Sequence, residues 1–224
     1  MKYVIANWKA NKNASDAIAW CDAFLQKLQY GNNAAGAIQQ GKVSVIIAPP
    51  FPLIPIVKAK LGSTPGIHIA AQSVSDVEGG SRTGEIPAAT LAGLVEYAIV
   101  GHSERREHYG ETNEIVRAKS LAALKQMINP LVCVRNVQDT IDENVLMVAY
   151  EPTWAIGSGK NEPVESVLEM KAMLKVASPR QFIYGGSVTE DTCAPYLHTE
   201  GIDGVLVGSA SLDPAKFFSI VSQV

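Results

Sequence analysis

The sequence lacks the features that mark exported, disulfide-bonded and membrane proteins. It has only three cysteines, Cys21, Cys133 and Cys193, which are far apart and not in CxxC spacing. This argues against a disulfide framework and a zinc site and suggests buried or idle thiols. No apolar run approaches the roughly 20 residues of a membrane span, and the apolar segment 3–6 is too short for a secretion signal. We therefore expect a cytoplasmic protein that does not enter a membrane.

Positive charge is also scarce. The 224 residues carry a formal net charge of -3 and no long run of lysine or arginine. Nucleic-acid binding normally requires a basic patch or stripe, so we expect no nucleic-acid partner. With 47% hydrophobic and 18% charged residues, the chain has the composition of a compact enzyme, and we interpret residues 1–224 as one domain.

Short apolar runs alternate with helical patterns along the whole chain. The runs lie at 3–6, 43–48, 67–71, 97–100, 131–134, 146–150, 182–184 and 204–207. Helical patterns cover 16–29, 51–61, 113–127, 163–176 and 213–224, with Ser15 and Thr112 as predicted helix caps. Eight such units, without a GxGxxG motif after the first strand, predict an α/β fold of the (β/α)8 barrel type.

The segment after the sixth predicted strand indicates an enzyme. It reads AYEPTWAIGSGK at 149–160 and places Glu151 at the carboxyl end of the strand, where barrels carry their chemistry. Pro152 fixes the backbone beside this carboxylate. The glycines that follow allow backbone N–H groups to approach an anion, and Lys160 adds positive charge.

Residues after the first and fourth strands add candidate polar groups. Asn7 and Lys9 follow strand one, and in an extended segment both would face the barrel mouth, although a solvated surface lysine is the alternative. His102 follows strand four at a predicted helix start, which favours a neutral ring that donates to a carbonyl oxygen. The alternative for His102 is a structural role, which is more common for isolated histidines. We assign the neighbouring Arg105 and Arg106 to an ion-pair cluster.

Glycine and hydroxyl residues recur after strands seven and eight. They are Ser187 in YGGSV and Gly208 and Ser209 in VGSASL. Either motif alone is usually a turn, but phosphate sites built from these two loops recur among barrel enzymes. Together with the loop after strand six, they favour a phosphorylated small molecule as the substrate.

These motifs give the chain a resemblance to the triosephosphate isomerase family along nearly its whole length. The matching motifs, in family order, are NWKAN at 7–11, AAQSVS at 70–75, TGEI at 83–86, GHSERR at 101–106, AYEPTWAIGSGK at 149–160, YGGSV at 184–188 and VGSASL at 207–212. The resemblance implies a TIM barrel and the interconversion of dihydroxyacetone phosphate and D-glyceraldehyde 3-phosphate in glycolysis and gluconeogenesis, without metal or organic cofactor.

The resemblance also implies a role for each matching residue. Glu151 becomes the base and His102 the electrophile, a pairing already established for that family. Lys9 becomes the electrostatic stabiliser, and the remaining implied catalytic contacts are Asn7 and Glu104, with Glu104 supporting Lys9. The implied substrate-binding residues are Asn7, Lys9, Gly157, Ser187, Gly208 and Ser209. Closure of 152–160 over the substrate would exclude water.

Several departures from the family pattern limit this transfer. The segment between strands five and six is short, which predicts that the helix between them is shortened or missing. Asn161 and Glu162 are more polar than the usual hinge residues, which predicts a less tightly closed lid. Ser209 replaces a common glycine, and its backbone N–H can still bind phosphate only if its φ is negative.

The segment 74–85 is long for a loop after strand three. By resemblance it inserts beside a second subunit and places Thr83 near the partner's Asn7, which implies a homodimer; a tetramer is the alternative, because a missing helix would expose new surface. The sequence leaves two other functions as alternatives. A phosphosugar epimerase or aldolase would need a metal-binding cluster or a Schiff-base lysine, and an inactive or repurposed phosphate-binding barrel would have lost part of the catalytic set.

Overall fold

The chain forms a closed barrel of eight parallel strands in sequence order. The computed structural model describes residues 1–30, 32–155 and 159–224. The strands are β1 Lys2–Asn7, β2 Val43–Ala48, β3 Ile67–Ala71, β4 Tyr97–Val100, β5 Asn129–Val134, β6 Met147–Tyr150, β7 Gln181–Tyr184 and β8 Gly204–Val207. The α-helices are α1 Ala14–Tyr30, α2 Asn32–Gln39, α3 Ile54–Leu61, α4 Ala88–Leu91, α5 Ser103–Tyr109, α6 Asn113–Lys125, α7 Val164–Met173, α8 Ala194–His198 and α9 Pro214–Val221. Short 3₁₀ helices cover Phe51–Leu53 and Ser209–Leu212.

The predicted barrel is confirmed, and each predicted run coincides with a strand to within two residues at either end. One of the two predicted caps is also correct, since Thr112 Oγ1 accepts a hydrogen bond from the Ile115 N–H. The other is wrong. Helix α1 begins at Ala14, and Asn13 Oδ1 accepts from the Asp16 N–H at 3.0 Å, so Asn13 occupies the place predicted for Ser15. Within the described ranges, none of the helices has the length and apolar character needed to cross a bilayer.

Strand side chains alternate between two buried layers. On β1, Tyr3 and Ile5 belong to the cluster inside the barrel, whereas Val4 and Ala6 pack outward against the helices. This alternation is the period of a β-strand. Asn7 and Glu151 extend the inward series of β1 and β6 by one step, so both reach the carboxyl end of the barrel interior.

The structure has no helix between β5 and β6. This agrees with the prediction that this helix is shortened or missing. Residues 135–146, all of which the structure describes, form only turns, bends and irregular backbone. The buried carboxylate of Asp139 makes the main polar contacts of this segment. Asp139 accepts two hydrogen bonds from the Arg135 guanidinium, at 2.9 and 2.8 Å, and lies 3.4 Å from Arg106 Nη1.

Arg106 connects this segment to two strand ends. Its Nε donates to the carbonyl of Gly101, after β4, at 2.9 Å, and its Nη2 to the carbonyl of Cys133 in β5 at 3.4 Å. The prediction that Arg105 and Arg106 belong to ion pairs is confirmed, because Arg105 pairs with Glu111 at 2.6 Å. Arg106 thus links Asp139, and with it segment 135–146, to the ends of β4 and β5.

We expect Asp139→Ala to lower the free energy of unfolding by about 3–5 kcal/mol, because it leaves the Arg106 charge buried and unpaired. The side chains of Arg106 and Asp139 are only 2% and 3% exposed. The measurement is a chemical denaturation curve. Asp22→Ala is the matched control, since its partner Lys60 and Asp22 itself are exposed and the loss should stay below about 1 kcal/mol. Equal losses in the two variants would contradict the structural role of Asp139.

Candidate active site

A cavity of about 480 Å³ opens at the carboxyl end of the barrel. It is lined by Asn7, Trp8, Lys9, Asn11, His102, Glu151, Gly159, Gly185, Ser187, Val188, Thr189, Leu206, Gly208, Ser209 and Leu212. The structure therefore brings together all but two of the residues selected from the sequence. Of those two, Glu104 lies just behind the wall as a partner of Lys9, and Gly157 falls outside the described residues.

Glu151 is the most deeply buried carboxylate of the site, with 1% of its surface exposed. Its Oε1 accepts from His102 Nε2 at 2.8 Å and its Oε2 from the Ser103 N–H at 2.8 Å. Burial raises the pKa of Glu151. His102 and the Ser103 amide lower the pKa by more than burial raises it, so that the net direction is downward. These contacts therefore hold the carboxylate ionised.

The neighbours of His102 define its tautomer. This residue is the N-cap of α5, and its Nδ1 accepts a hydrogen bond from the Glu104 N–H at 3.2 Å. Because Nδ1 can accept only when it carries no proton, the ring proton lies on Nε2, which points toward Glu151. Burial lowers the pKa of His102, whereas the Glu151 carboxylate raises it and sets the net upward direction.

Lys9 reaches the cavity by a route that differs from the prediction. The segment is not extended, because Lys9 has a φ of 52°, in the left-handed region that non-glycine residues rarely adopt. Asn7 Oδ1 accepts from the Lys9 N–H at 3.1 Å, and Gln72 Nε2 donates to the Lys9 carbonyl at 2.9 Å. The Lys9 ammonium forms an ion pair with Glu104. A strained backbone held by side chains on both sides is typical of a functional position.

Two close neighbours of the carboxylate were not assigned to the site from the sequence. Cys133, interpreted as a buried or idle thiol, is buried inside the barrel and is one of the groups that lower the pKa of Glu151. Burial raises the pKa of Cys133 itself, so it stays a neutral thiol. Gly185 passes so close that a Cβ there would lie 3.2 Å from Glu151 Cγ. Strand alternation signals both positions, since Cys133 follows the inward-facing Leu131.

The loops after β7 and β8 contribute the glycine and hydroxyl residues of the cavity lining. Ser209 begins a 3₁₀ helix and has no positive φ, so the condition set for serine in place of glycine is met. Ser187 has a φ of 47°, and its Oγ donates to the Ala155 carbonyl, which ties the loop after β7 to the loop after β6.

In the parts of the chain that the structure describes, no group of three or more His, Cys, Asp or Glu side chains could hold a metal ion.

Comparison with known proteins identifies the relatives of this chain. Residues 2–224 match the family model described as triosephosphate isomerase. A triosephosphate isomerase of Mycoplasmopsis pulmonis is 33% identical over 242 residues, covering 98% of this chain and 96% of the relative. Those of Thermus thermophilus and Citrifermentans bemidjiense are 34% and 36% identical, over 97% and 98% of this chain and 96% and 98% of theirs.

Proposed function

Because this chain belongs to the triosephosphate isomerase family, and is an isomerase that interconverts dihydroxyacetone phosphate and D-glyceraldehyde 3-phosphate, we propose that Glu151, His102, Lys9 and Asn7 carry out its reaction. The single observation that supports this most strongly is the contact of His102 Nε2 with Glu151 inside a cavity that Lys9 also lines. A base, a neutral hydrogen-bond donor and a fixed positive charge then face one small molecule.

In the proposed reaction, Glu151 removes a proton from the substrate carbon next to the carbonyl group. The electron pair of that C–H bond moves toward the carbonyl, and negative charge develops on its oxygen to give an enediolate. His102 donates its Nε2–H to the oxygen and Lys9 stabilises the charge. Glu151 then returns the proton to the neighbouring carbon, and the hydroxyl proton passes from one substrate oxygen to the other through His102 Nε2. An α-hydroxy ketone thereby becomes an α-hydroxy aldehyde, or the reverse, with no net gain or loss of atoms.

The contacts of Glu151 explain how it becomes a stronger base when it reaches a substrate. Its carboxylate must leave the Ser103 N–H and the His102 ring to reach a substrate carbon. Those two contacts lower its pKa, and burial, which remains, raises it. The same movement would remove the contribution of Glu151 that raises the pKa of His102, which favours the neutral ring.

We propose that Ser187, Gly208 and Ser209, with Gly157, bind the substrate phosphate. The first three line the cavity, and Lys9 lies beside Gly208, where a Cβ would stand 3.6 Å from Lys9 Cε. Binding a phosphate away from the reacting carbons orients the substrate for proton transfer. The proposed support of Lys9 by Glu104 rests on their ion pair.

An assay coupled to a dehydrogenase, run in both directions with each triose phosphate, tests this function. Saturable turnover in both directions is the expected result. An inactive or repurposed phosphate-binding barrel would bind a triose phosphate without converting it, and that outcome would overturn the proposal.

We propose that the chain acts as a homodimer through segment 74–85, with a tetramer as the larger alternative. Residues 78–85 are all exposed, whereas Ser75, at the base of the segment, is buried. The Ser75 N–H donates to the Ile86 carbonyl at 2.9 Å, and Ser75 Oγ donates to Glu85. The base is therefore closed and the tip projects, a shape suited to insertion beside a second subunit.

Replacing residues 76–84 by a short Gly-Ser turn should yield folded monomers with greatly reduced activity, because Asn7 and Lys9 would lose support from the partner. Sedimentation and turnover measured on one sample check this. A fully active monomer would contradict the role of the segment in the site, and an unchanged dimer would contradict its role in assembly.

A cytoplasmic location is likewise a proposal. It is supported by the state of the three cysteines, all of which are free and buried. Free thiols are the usual state in a reducing compartment.

A further inference from the structure

Three tyrosine hydroxyl groups converge on one residue, Glu162, eleven positions after the proposed base. Tyr150 Oη donates to Glu162 Oε2 at 2.9 Å, and Tyr196 Oη donates to the Glu162 carbonyl at 2.6 Å. Tyr184 Oη accepts from the Glu162 N–H at 2.9 Å. The backbone donor, the backbone acceptor and the carboxylate of this residue are thus each bonded to a different tyrosine.

The three tyrosines belong to three different elements of the barrel. Tyr150 ends β6, Tyr184 ends β7, and Tyr196 lies in α8. The rings of Tyr184 and Tyr196 stack with centroids 4.1 Å apart, so their hydroxyl groups are held by packing. Glu162 is therefore bonded to two strands and one helix of the barrel.

The residue before it makes a similar bond. Asn161 Nδ2 donates to the Gly186 carbonyl, in the loop after β7, at 2.7 Å. Both polar residues therefore make side-chain hydrogen bonds outside their own loop, Asn161 to the loop after β7 and Glu162 to the end of β6. The less tightly closed lid stays a prediction.

Only one of the three bonds to Glu162 depends on its side chain. The bonds to Tyr184 and Tyr196 use the backbone, which every residue except proline offers, whereas the bond to Tyr150 needs an acceptor on the side chain. Burial raises the pKa of Tyr150, and the Glu162 carboxylate raises it too, so the hydroxyl remains a donor. The bond to Tyr150 is thus the one that a substitution of Glu162 can remove while the two backbone bonds remain.

We propose that Glu162 is a positioning residue that fixes the second end of the loop after β6 through its carboxylate bond to Tyr150. Tyr150 directly precedes Glu151, and Gly159, three residues before Glu162, lines the cavity. The bond therefore links the phosphate-facing part of the loop to the strand that presents the base. This inference rests on the proposed isomerase site and assigns Glu162 to recognition of the phosphorylated end of the substrate.

Two substrates separate this role from a general effect on the fold. D-Glyceraldehyde 3-phosphate uses the phosphate-facing loop, whereas D-glyceraldehyde has the same reacting carbons and no phosphate. Loss of loop positioning should reduce kcat/KM for the phosphorylated substrate and leave that for D-glyceraldehyde nearly unchanged.

The variants are Glu162→Ala, Tyr150→Phe, the double variant and Glu162→Gln. Each of the first two should lower kcat/KM for D-glyceraldehyde 3-phosphate by about tenfold, the size expected for one hydrogen bond to a charged acceptor. The double variant should lose no more than either single variant, because the same bond is removed. Glu162→Gln retains an acceptor and should recover most of the activity.

Glu165→Ala is the matched control, because Glu165 is exposed, lies three residues further along the chain and is the same residue type. It should behave as the wild-type protein does. Equal losses with both substrates, additive losses in the double variant, or no loss in Glu162→Ala would each overturn the positioning role. Those outcomes are distinct from failure of the proposed function, in which the wild-type protein itself would not isomerise D-glyceraldehyde 3-phosphate.

Discussion

Replacing Glu151 by glutamine should lower kcat by about 1,000-fold, within the range expected for loss of a general base. Glutamine has nearly the same shape and can still accept from the Ser103 N–H, which Glu151 Oε2 does at 2.8 Å. It cannot take a proton from carbon. KM should change much less than kcat, because the proposed phosphate contacts are made by residues other than Glu151.

The coupled assay measures both constants, and Glu151→Asp provides a graded comparison. Aspartate keeps the charge but withdraws it by about one ångström, which should cost about 100-fold. Glu169→Gln, at an exposed position of α7, is the control for the substitution itself and should have wild-type activity. If Glu151→Gln kept wild-type turnover, another group would have to transfer the proton.

Lys9→Met should lower kcat/KM by at least about 100-fold, because it removes a fixed charge that stabilises the developing enediolate. Methionine is similarly long and unbranched, and it meets the same backbone strain at a φ of 52°. Glu104, whose side chain is 39% exposed, can be hydrated after it loses its partner. The fold should therefore survive, and the loss should concern catalysis.

The free energy of unfolding, measured on the same sample, separates these two effects. Lys60→Met is the matched control, because Lys60 also pairs with a carboxylate, that of Asp22, but at an exposed surface position. It should change neither activity nor stability by much. A Lys9→Met protein with activity close to the control would mean that His102 stabilises the oxygen without help from this charge.

Much of the fold could be predicted because strand and helix patterns are local. Each of the eight apolar runs is buried on both faces, which gives a continuous hydrophobic signal that does not depend on distant residues. The missing helix could also be predicted, since segment 135–146 has too few residues to form a turn out of the sheet, a helix and a return. What holds that segment could not. Asp139 meets Arg106 only after β4 and β5 are paired.

Other features that the sequence left undecided have the same origin. Ser15 and Asn13 are both suitable caps, and the choice depends on where α1 begins to pack. The contact of Cys133 with Glu151 could not be predicted, because Glu151 directly follows the neighbouring strand of the barrel. The hydrogen bonds of Asn161 and Glu162 could not be predicted either, because their partners lie up to 34 positions away.

The sequence by itself determined the eight strands, their inward-facing positions and the residues at their carboxyl ends, because alternation along a strand is set within the strand. Only the tertiary structure decided which of those residues touch. His102 and Glu151 are 49 positions apart, and Lys9 and Glu104 are 95 apart. Closure of the barrel brings the ends of β1, β4 and β6 to one cavity, and the strand register, which no local pattern encodes, sets the distances between their side chains.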